Sequence, residues 1–333
     1  MTTNTEFKAW RVEDVDGDYR GSEQTLSTAD LTDGEVLIKV SHSSLNYKDA
    51  LSASGNKGVT RAFPHTPGID AAGEVVESKT GAPAIGAQVI VTGYDLGMNT
   101  AGGFGEYIRV PAAWCVPMAK GWNARTAMIY GTAGLTAGLC VQKLLTMGAK
   151  PEQGKVAVTG ASGAVGSVAV EILANLGFDV VAISGKADHS DALKSLGAKE
   201  VVGRDALAED KKPMLKPVFA NAVDTVGGNP LAELLKQILP GGSVSICGLV
   251  AGPQLNTTVL PFILRGVNLL GVDSVEIPLA DKEVVWTKLS GEWKCPKTEA
   301  SAKDISRAEL DGALKAFLKG ESAGKIVLDH SRS

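Results

Sequence analysis

Long apolar runs are missing from this chain. Nothing in its 333 residues approaches the roughly 18 consecutive apolar residues of a membrane-spanning helix, so no span is expected. A basic block is missing too. Lys and Arg number 33 against 37 Asp and Glu, a formal charge of −4, and no stretch concentrates the cations that a nucleic-acid backbone demands. Nucleic acid is therefore excluded as the main partner. The first residues, MTTNTEFKAWRVED, lack the basic-then-apolar order of a secretory leader, which makes a cytoplasmic protein the expectation. Cysteine is scarce. Cys115, Cys140, Cys247 and Cys295 show no CxxC spacing and read as free, mostly buried thiols. His42, His65, His189 and His330 are scattered, with no HExxH, so no protein-bound catalytic metal is expected. Internal repeats and low-complexity tracts are absent.

What the chain does contain is an ordinary soluble composition, 44% hydrophobic and 21% charged, at a length that favours two domains over one core. Residues 6–120 read as mainly β. Short alternating runs such as EVLIKVSHSSLN (35–46), AGEVVES (72–78) and AQVIVTG (87–93) lie between glycine-rich turns, the spacing of a small barrel or sandwich. Near residue 124 the pattern changes to a helical stretch broken by glycines. From 155 strands and helices alternate: VAVTG, SVAVEILANLG, VVAIS, DALKSLGA, FANAVDTV, LAELLKQIL and GSVSICGL. That alternation predicts a doubly wound parallel sheet. Beyond about 262 it loosens, and residues 309–329 read as a helix, a turn and a strand.

The first strand of that sheet runs into Ala161-Ser162-Gly163-Ala164-Val165-Gly166, a dinucleotide-binding turn with alanine in place of the first glycine. Gly163 lets a pyrophosphate approach the backbone, and Gly166 lets the helix pack on the strand. The helix start near Ser162 offers free N–H groups to the anion. The second strand ends in Ser184-Gly185-Lys186, 18 residues past Gly166. An NAD site expects an acid there to hold the ribose, whereas an NADP site expects a cation for the 2′-phosphate. Ser184 and Lys186, joined by Arg204 after the next strand, are the candidates to bind that phosphate, and NADPH is the expected cofactor.

A β-rich first domain, a dinucleotide-binding second domain and a returning tail resemble the medium-chain dehydrogenase/reductase superfamily along essentially the whole chain. SSLNYKDAL (43–51), PGIDAAGEV (67–75), GGFGEYIRV (102–110), YGTAGLTAGL (130–139) and TGASGAVGS (159–167) carry the likeness. Zinc-dependent members have a Cys ligand near Asn46 and Gly-His-Glu where this chain has Gly68-Ile69-Asp70. The resemblance is therefore to the zinc-free branch that reduces activated carbon–carbon double bonds. Within it the wording is closest to the acrylyl-CoA reductase (NADPH) subfamily, also called YhdH-type quinone oxidoreductases, through residues 43–75, ISGK (183–186) and LLGVDSVEIP (269–278). It implies an α/β fold with a GroES-like β-barrel catalytic domain (1–125), an NADP-binding Rossmann domain (126–265) and a C-terminal segment (266–333) that returns to the catalytic domain.

The resemblance also implies a reaction and its residues. NADPH would reduce the double bond of acrylyl-CoA to give propanoyl-CoA. Tyr47 is the first candidate to meet nicotinamide and substrate, and Asn46 the candidate to orient the carbonyl or the nicotinamide ribose. Asp49 reads as a backbone anchor, Asp70 as a structural acceptor and Lys48 as surface. Arg61 is the candidate for the CoA phosphates, while Lys57 in the same loop reads as solvated surface. Backbone from Ser162 to Val165 would carry the pyrophosphate. Leu249 and Ile263 would line the nicotinamide half, with Ser274 and Thr136 near it, while Cys247, near a strand end, reads as a buried inert thiol. A homodimer is expected. Two alternatives stay open: a quinone oxidoreductase on the same fold, and a non-catalytic NADPH-binding sensor.

Overall fold

A computed structural model describes residues 4–186, 189–322 and 324–332. Its chain divides into two compact units. One takes the residues up to Thr132, Val275–Ser290 and those from Ser301 on; the other takes Ala133–Ser274 and Gly291–Ala300.

The first unit is built on alternation. Along Val36–Ser44 the β-branched residues Val36, Ile38 and Val40 point into an apolar core shared with Val75, Val89, Val91, Ile108 and Val110. Fully burying each such side chain contributes roughly 1.5–3 kcal/mol, which also fixes the register, because a one-residue slip would turn the whole set to solvent. This strand organises the sheet. One edge pairs antiparallel with Asp70–Ser78, and the other with Tyr107–Val110 and then Ile326–Asp329. Gln88–Thr92 and Val116–Pro117 extend the sheet on one side, Lys303–Ile305 on the other. A separate hairpin, Glu6–Val15 with Asp18–Ser27, turns through Asp16-Gly17, both at positive φ, as two-residue hairpin loops favour. It joins the unit through Trp10 N–H to the Phe104 carbonyl (3.0 Å) and paired bonds between Val12 and His65.

The second unit holds six parallel strands in the spatial order Glu200–Val202, Val180–Ile183, Val156–Thr159, Phe219–Asp224, Ile238–Ile246 and Asn268–Gly271. The first strand in sequence is central, the next two lie outward to one side and the last three to the other. This is the doubly wound order whose switch point opens a binding crevice at the carboxyl ends of the central strands. Val156–Thr159, Val180–Ile183 and Phe219–Asp224 are buried at every position, which is why they read as unbroken apolar runs.

The later chain serves both units. Buried Glu171, on the helix Ala164–Asn175, accepts from the Lys297 N–H (2.9 Å), the Thr298 N–H (2.8 Å) and the Thr298 hydroxyl (2.7 Å). That carboxylate caps the start of the helix Pro296–Ser301 and ties it to the parallel unit. Among the described residues no helix is long and apolar enough to cross a membrane.

Candidate functional site

In the parallel unit, Val156–Thr159 leads into a turn and then the helix Ala164–Asn175, with Gly163 at its N-cap. The helix begins two residues later than the sequence suggests. Gly160, at φ +57°, makes the tight turn that the fingerprint assigns to the position of Ala161, and a Cβ there would sit 2.3 Å from Thr225 Oγ1. Gly166 is the packing glycine: its Cβ would meet the Gly160 carbonyl oxygen at 2.4 Å. No side chain caps the helix, so the N–H groups of Ala164 and Val165 in its first turn have no intrahelical partner. A network that the sequence reading missed underlies this turn. Buried Asp224 accepts from the Thr159 hydroxyl (2.6 Å) and the Gly227 N–H (2.7 Å), while Thr225 bonds back to Thr159. Burial raises the Asp224 pKa against these bonds. The one signal for it in the sequence is an acid closing the apolar strand FANAVD.

The candidates for a 2′-phosphate come together at the end of the second strand. Ser162 and Ser184 hydroxyls lie 3.0 Å apart, and Ser184 Oγ also accepts from the Lys186 N–H at 3.1 Å. Arg204 lies across Gly185, so close that a Cβ on Gly185 would fall 2.1 Å from its Nε. Lys186 is half-buried and joins the cluster through its backbone. Elsewhere in this unit the Thr136 hydroxyl donates to Ser274 Oγ at 2.8 Å, both residues being buried. Leu249 and Ile263 are exposed, Leu249 beside the Gly227 backbone and Ile263 on the helix Leu260–Arg265. The Cys247 pKa is raised by its hydrogen bond with the Cys140 thiol and by burial, which disfavours a reactive thiolate.

In the β unit, Asn46 caps and Tyr47 begins the short helix Tyr47–Ala53. Asn46 is buried, whereas Tyr47 is 46% exposed and available to a ligand. Below them lies a buried polar cluster. Asp49 accepts from the backbone N–H groups of Asn46 and Ile69, both at 2.8 Å, so it anchors backbone. Its pKa is pushed up to about 7 by burial, with the charge of Asp70 adding and the two N–H bonds opposing. Asp70 accepts from Asn46 Nδ2 (2.8 Å), the Thr132 N–H (2.8 Å) and the hydroxyls of Ser44 and Thr132. Gly131, at φ 51° and ψ −156°, breaks the long helix here, and a Cβ on it would lie 2.6 Å from Asp70 Oδ2. Lys325, absent from the sequence reading, is buried with its ammonium on the Tyr130 carbonyl (3.0 Å). Burial brings its pKa down to about 8, opposed by the pull of Asp70.

Arg61 is exposed, held by its N–H to Asn99 Oδ1 (3.3 Å). Lys57 is engaged elsewhere: its ammonium lies 4.8 Å from the Phe63 ring centroid and 4.0 Å from Asp14 Oδ2. Among the described residues no three His, Cys, Asp or Glu side chains group as a metal site.

A doubly wound parallel unit with a glycine turn at an uncapped helix start, joined in one chain to a β unit presenting Asn46 and Tyr47, defines a nucleotide-dependent oxidoreductase architecture. Residues 32–120 match the alcohol dehydrogenase GroES-like domain and residues 164–286 the zinc-binding dehydrogenase domain. Acrylyl-CoA reductase AcuI of Ruegeria pomeroyi is 42% identical over 94% of this chain and 95% of its own. YhfP of Bacillus subtilis, named as a quinone oxidoreductase, is 42% identical over 98% of this chain and 99% of its own, and its structure was solved with NAD bound. The structure of the Salmonella enterica yhdH oxidoreductase in complex with NADP superimposes with a TM-score of 0.94 at 42% identity, over 97% of this chain and 99% of that one. The chain belongs to the medium-chain dehydrogenase/reductase family, in the group that contains acrylyl-CoA reductase AcuI and the YhdH and YhfP oxidoreductases.

Proposed function

We infer that this protein is an NADPH-dependent reductase of the carbon–carbon double bond of acrylyl-CoA, with propanoyl-CoA as product. The observation that carries the cofactor choice is the strand-end cluster of Ser162, Ser184 and Arg204 laid over Gly185, with a hydroxyl at the position where an NAD site places an acid. The substrate choice rests on the likeness to AcuI over nearly the full length of both chains.

When bound, NADPH supplies a hydride to the β-carbon of the thioester, and a proton then reaches the α-carbon. The chain supplies the setting. Ala164 and Val165 N–H groups hold the pyrophosphate at the uncapped helix start. Ser184, Arg204 and Lys186 hold the 2′-phosphate, and Thr136 and Ser274 form a rigid polar pair for the nicotinamide half, which Leu249 and Ile263 line. Asn46, its amide nitrogen turned to Asp70 and Ser44, presents its carbonyl oxygen to the nicotinamide ribose, and the Tyr47 phenol donates to the substrate oxygen as it gains negative charge. Arg61 binds CoA phosphate. A homodimer fits the sheet edge at Asn268–Gly271, unpaired among the described residues, and the exposed Val259 and Leu264 close to it in sequence.

Following NADPH absorbance on mixing with acrylyl-CoA, crotonyl-CoA and a simple quinone tests the reading. Oxidation by acrylyl-CoA supports it. Oxidation by the quinone alone overturns the substrate while leaving the cofactor site standing. The likeness to YhfP favours that second outcome, in which Arg61→Ala would leave turnover unchanged.

A further inference from the structure

Asp70 is buried beneath Asn46, and its donors are arranged asymmetrically. The Thr132 hydroxyl occupies Oδ1. Asn46 Nδ2, the Ser44 hydroxyl and the Thr132 N–H converge on Oδ2. Ser44 Oγ lies 3.4 Å from the same Asn46 nitrogen. An acceptor-only partner discriminates between the two ends of a carboxamide: the amide nitrogen must face it and the carbonyl oxygen must face away. The backbone of Asn46 is fixed separately, through its N–H to Asp49. Asp70 is held in turn. Its chain neighbour Ile69 bonds to Asp49, and the Tyr130-Gly131-Thr132 bend, clasped by Lys325, brings the two Thr132 donors to it.

We propose that Asp70 is a positioning residue, whose carboxylate sets which end of the Asn46 carboxamide faces the reactants and steadies the first turn of the helix that carries Tyr47. The proposal rests on the reading of Asn46 and Tyr47 as the reacting-side residues. Asp70 touches no reactant. It acts because a carboxamide presented the wrong way round offers a donor where an acceptor is needed, and a misplacement of about 1 Å can cost 10²-fold in rate.

A double-mutant cycle tests this on whichever acceptor the wild-type enzyme reduces. Asp70→Asn, which lets the Asn46 amide turn, should lower kcat about 10²-fold, with KM and the NADPH Kd within about 3-fold of wild type. Asn46→Ala should do the same, and the double variant should fall no further than about 3-fold below Asn46→Ala. Losses that multiply, or that appear equally in NADPH binding, would overturn the proposal. Ser44→Ala is a smaller lesion for use if Asp70→Asn does not fold. It should lower kcat several-fold at unchanged KM, and wild-type kcat would count against the idea. A readout independent of turnover separates this proposal from the reductase reading. The side-chain amide protons of Asn46 should give shifted, slowly exchanging resonances in the wild type, and in Asp70→Asn should lose that protection and move towards the shifts of a solvent-exposed amide. Identical spectra would overturn the positioning role whatever the substrate proves to be.

Discussion

Replacing Arg204 by alanine should convert an NADPH-selective site into an indifferent one. The guanidinium is seated on Gly185, beside the 3.0 Å contact of the Ser162 and Ser184 hydroxyls. A hydrogen bond to a charged group contributes roughly 1.5–3 kcal/mol. Arg204 is solvent-exposed, so screening favours the lower figure, which corresponds to a loss of about 10–15-fold in NADPH affinity. NADH lacks the phosphate and should lose less than about 2-fold. Gly185→Ala should act in the same direction through geometry, since its Cβ would fall 2.1 Å from Nε and force the guanidinium aside. The side chain is flexible, so that effect should be the smaller. Fluorescence titration with both cofactors at two salt concentrations measures it, and the salt dependence of NADPH binding should weaken in Arg204→Ala. Equal losses for NADPH and NADH, or none for NADPH, would refute the assignment of the phosphate to this cluster.

Other outcomes follow from the β unit. Tyr47→Phe should lower kcat for the thioester while NADPH affinity stays within about 2-fold, as stopped-flow turnover and cofactor titration would show. Gly131→Ala should destabilise by more than about 3 kcal/mol in urea unfolding, because the position combines positive φ with a Cβ 2.2 Å from Ser44 Oγ. His330 makes stability depend on pH. Its Nε2–H donates to the Gly103 carbonyl (2.9 Å) and its Nδ1 accepts from Arg307 (3.0 Å), which fixes a neutral ring. Burial brings its pKa down from 6.5 to about 4. The unfolded chain therefore binds the extra proton first, so this contribution is complete above pH 6.5 and is lost as pH falls towards 4, on the order of 3 kcal/mol in all. His330→Gln should flatten that part of the stability–pH curve.

The features legible in the sequence are those that local chemistry dictates. The turn 160–166 announces itself because a strand, close-packed glycines and an apolar helix must follow in that order for a phosphate to reach the backbone. Ser184 is legible because the end of the second strand has a fixed place in the doubly wound sheet. Lys325 shows where such reading stops. Its neighbours Gly324 and Ile326 give no sign of its role, yet it is fully buried with its ammonium on the Tyr130 carbonyl. That partner is 195 residues away, so no local pattern marks it. Asp224 is intermediate: its strand was legible, but the hydroxyl of Thr159 that it accepts from belongs to another strand. The surroundings of Asn46 are hardest, since they depend on Asp70, Thr132 and Lys325 meeting from segments far apart in sequence.

The interleaving of the two units has a consequence for synthesis on the ribosome. The parallel sheet has all six strands once Gly271 has emerged, so it can form while the chain is still growing. The β unit cannot: residues 43 and 44 wait for Val327 and Leu328 to supply the missing edge. Its early strands are thus committed to a partner nearly the whole chain away, a closure of high contact order. Truncation shortly before Ile326 should therefore leave a folded parallel unit attached to an unfinished, adhesive sheet, and a premature stop codon there would be expected to yield aggregates in which the turn 160–166 is still natively folded.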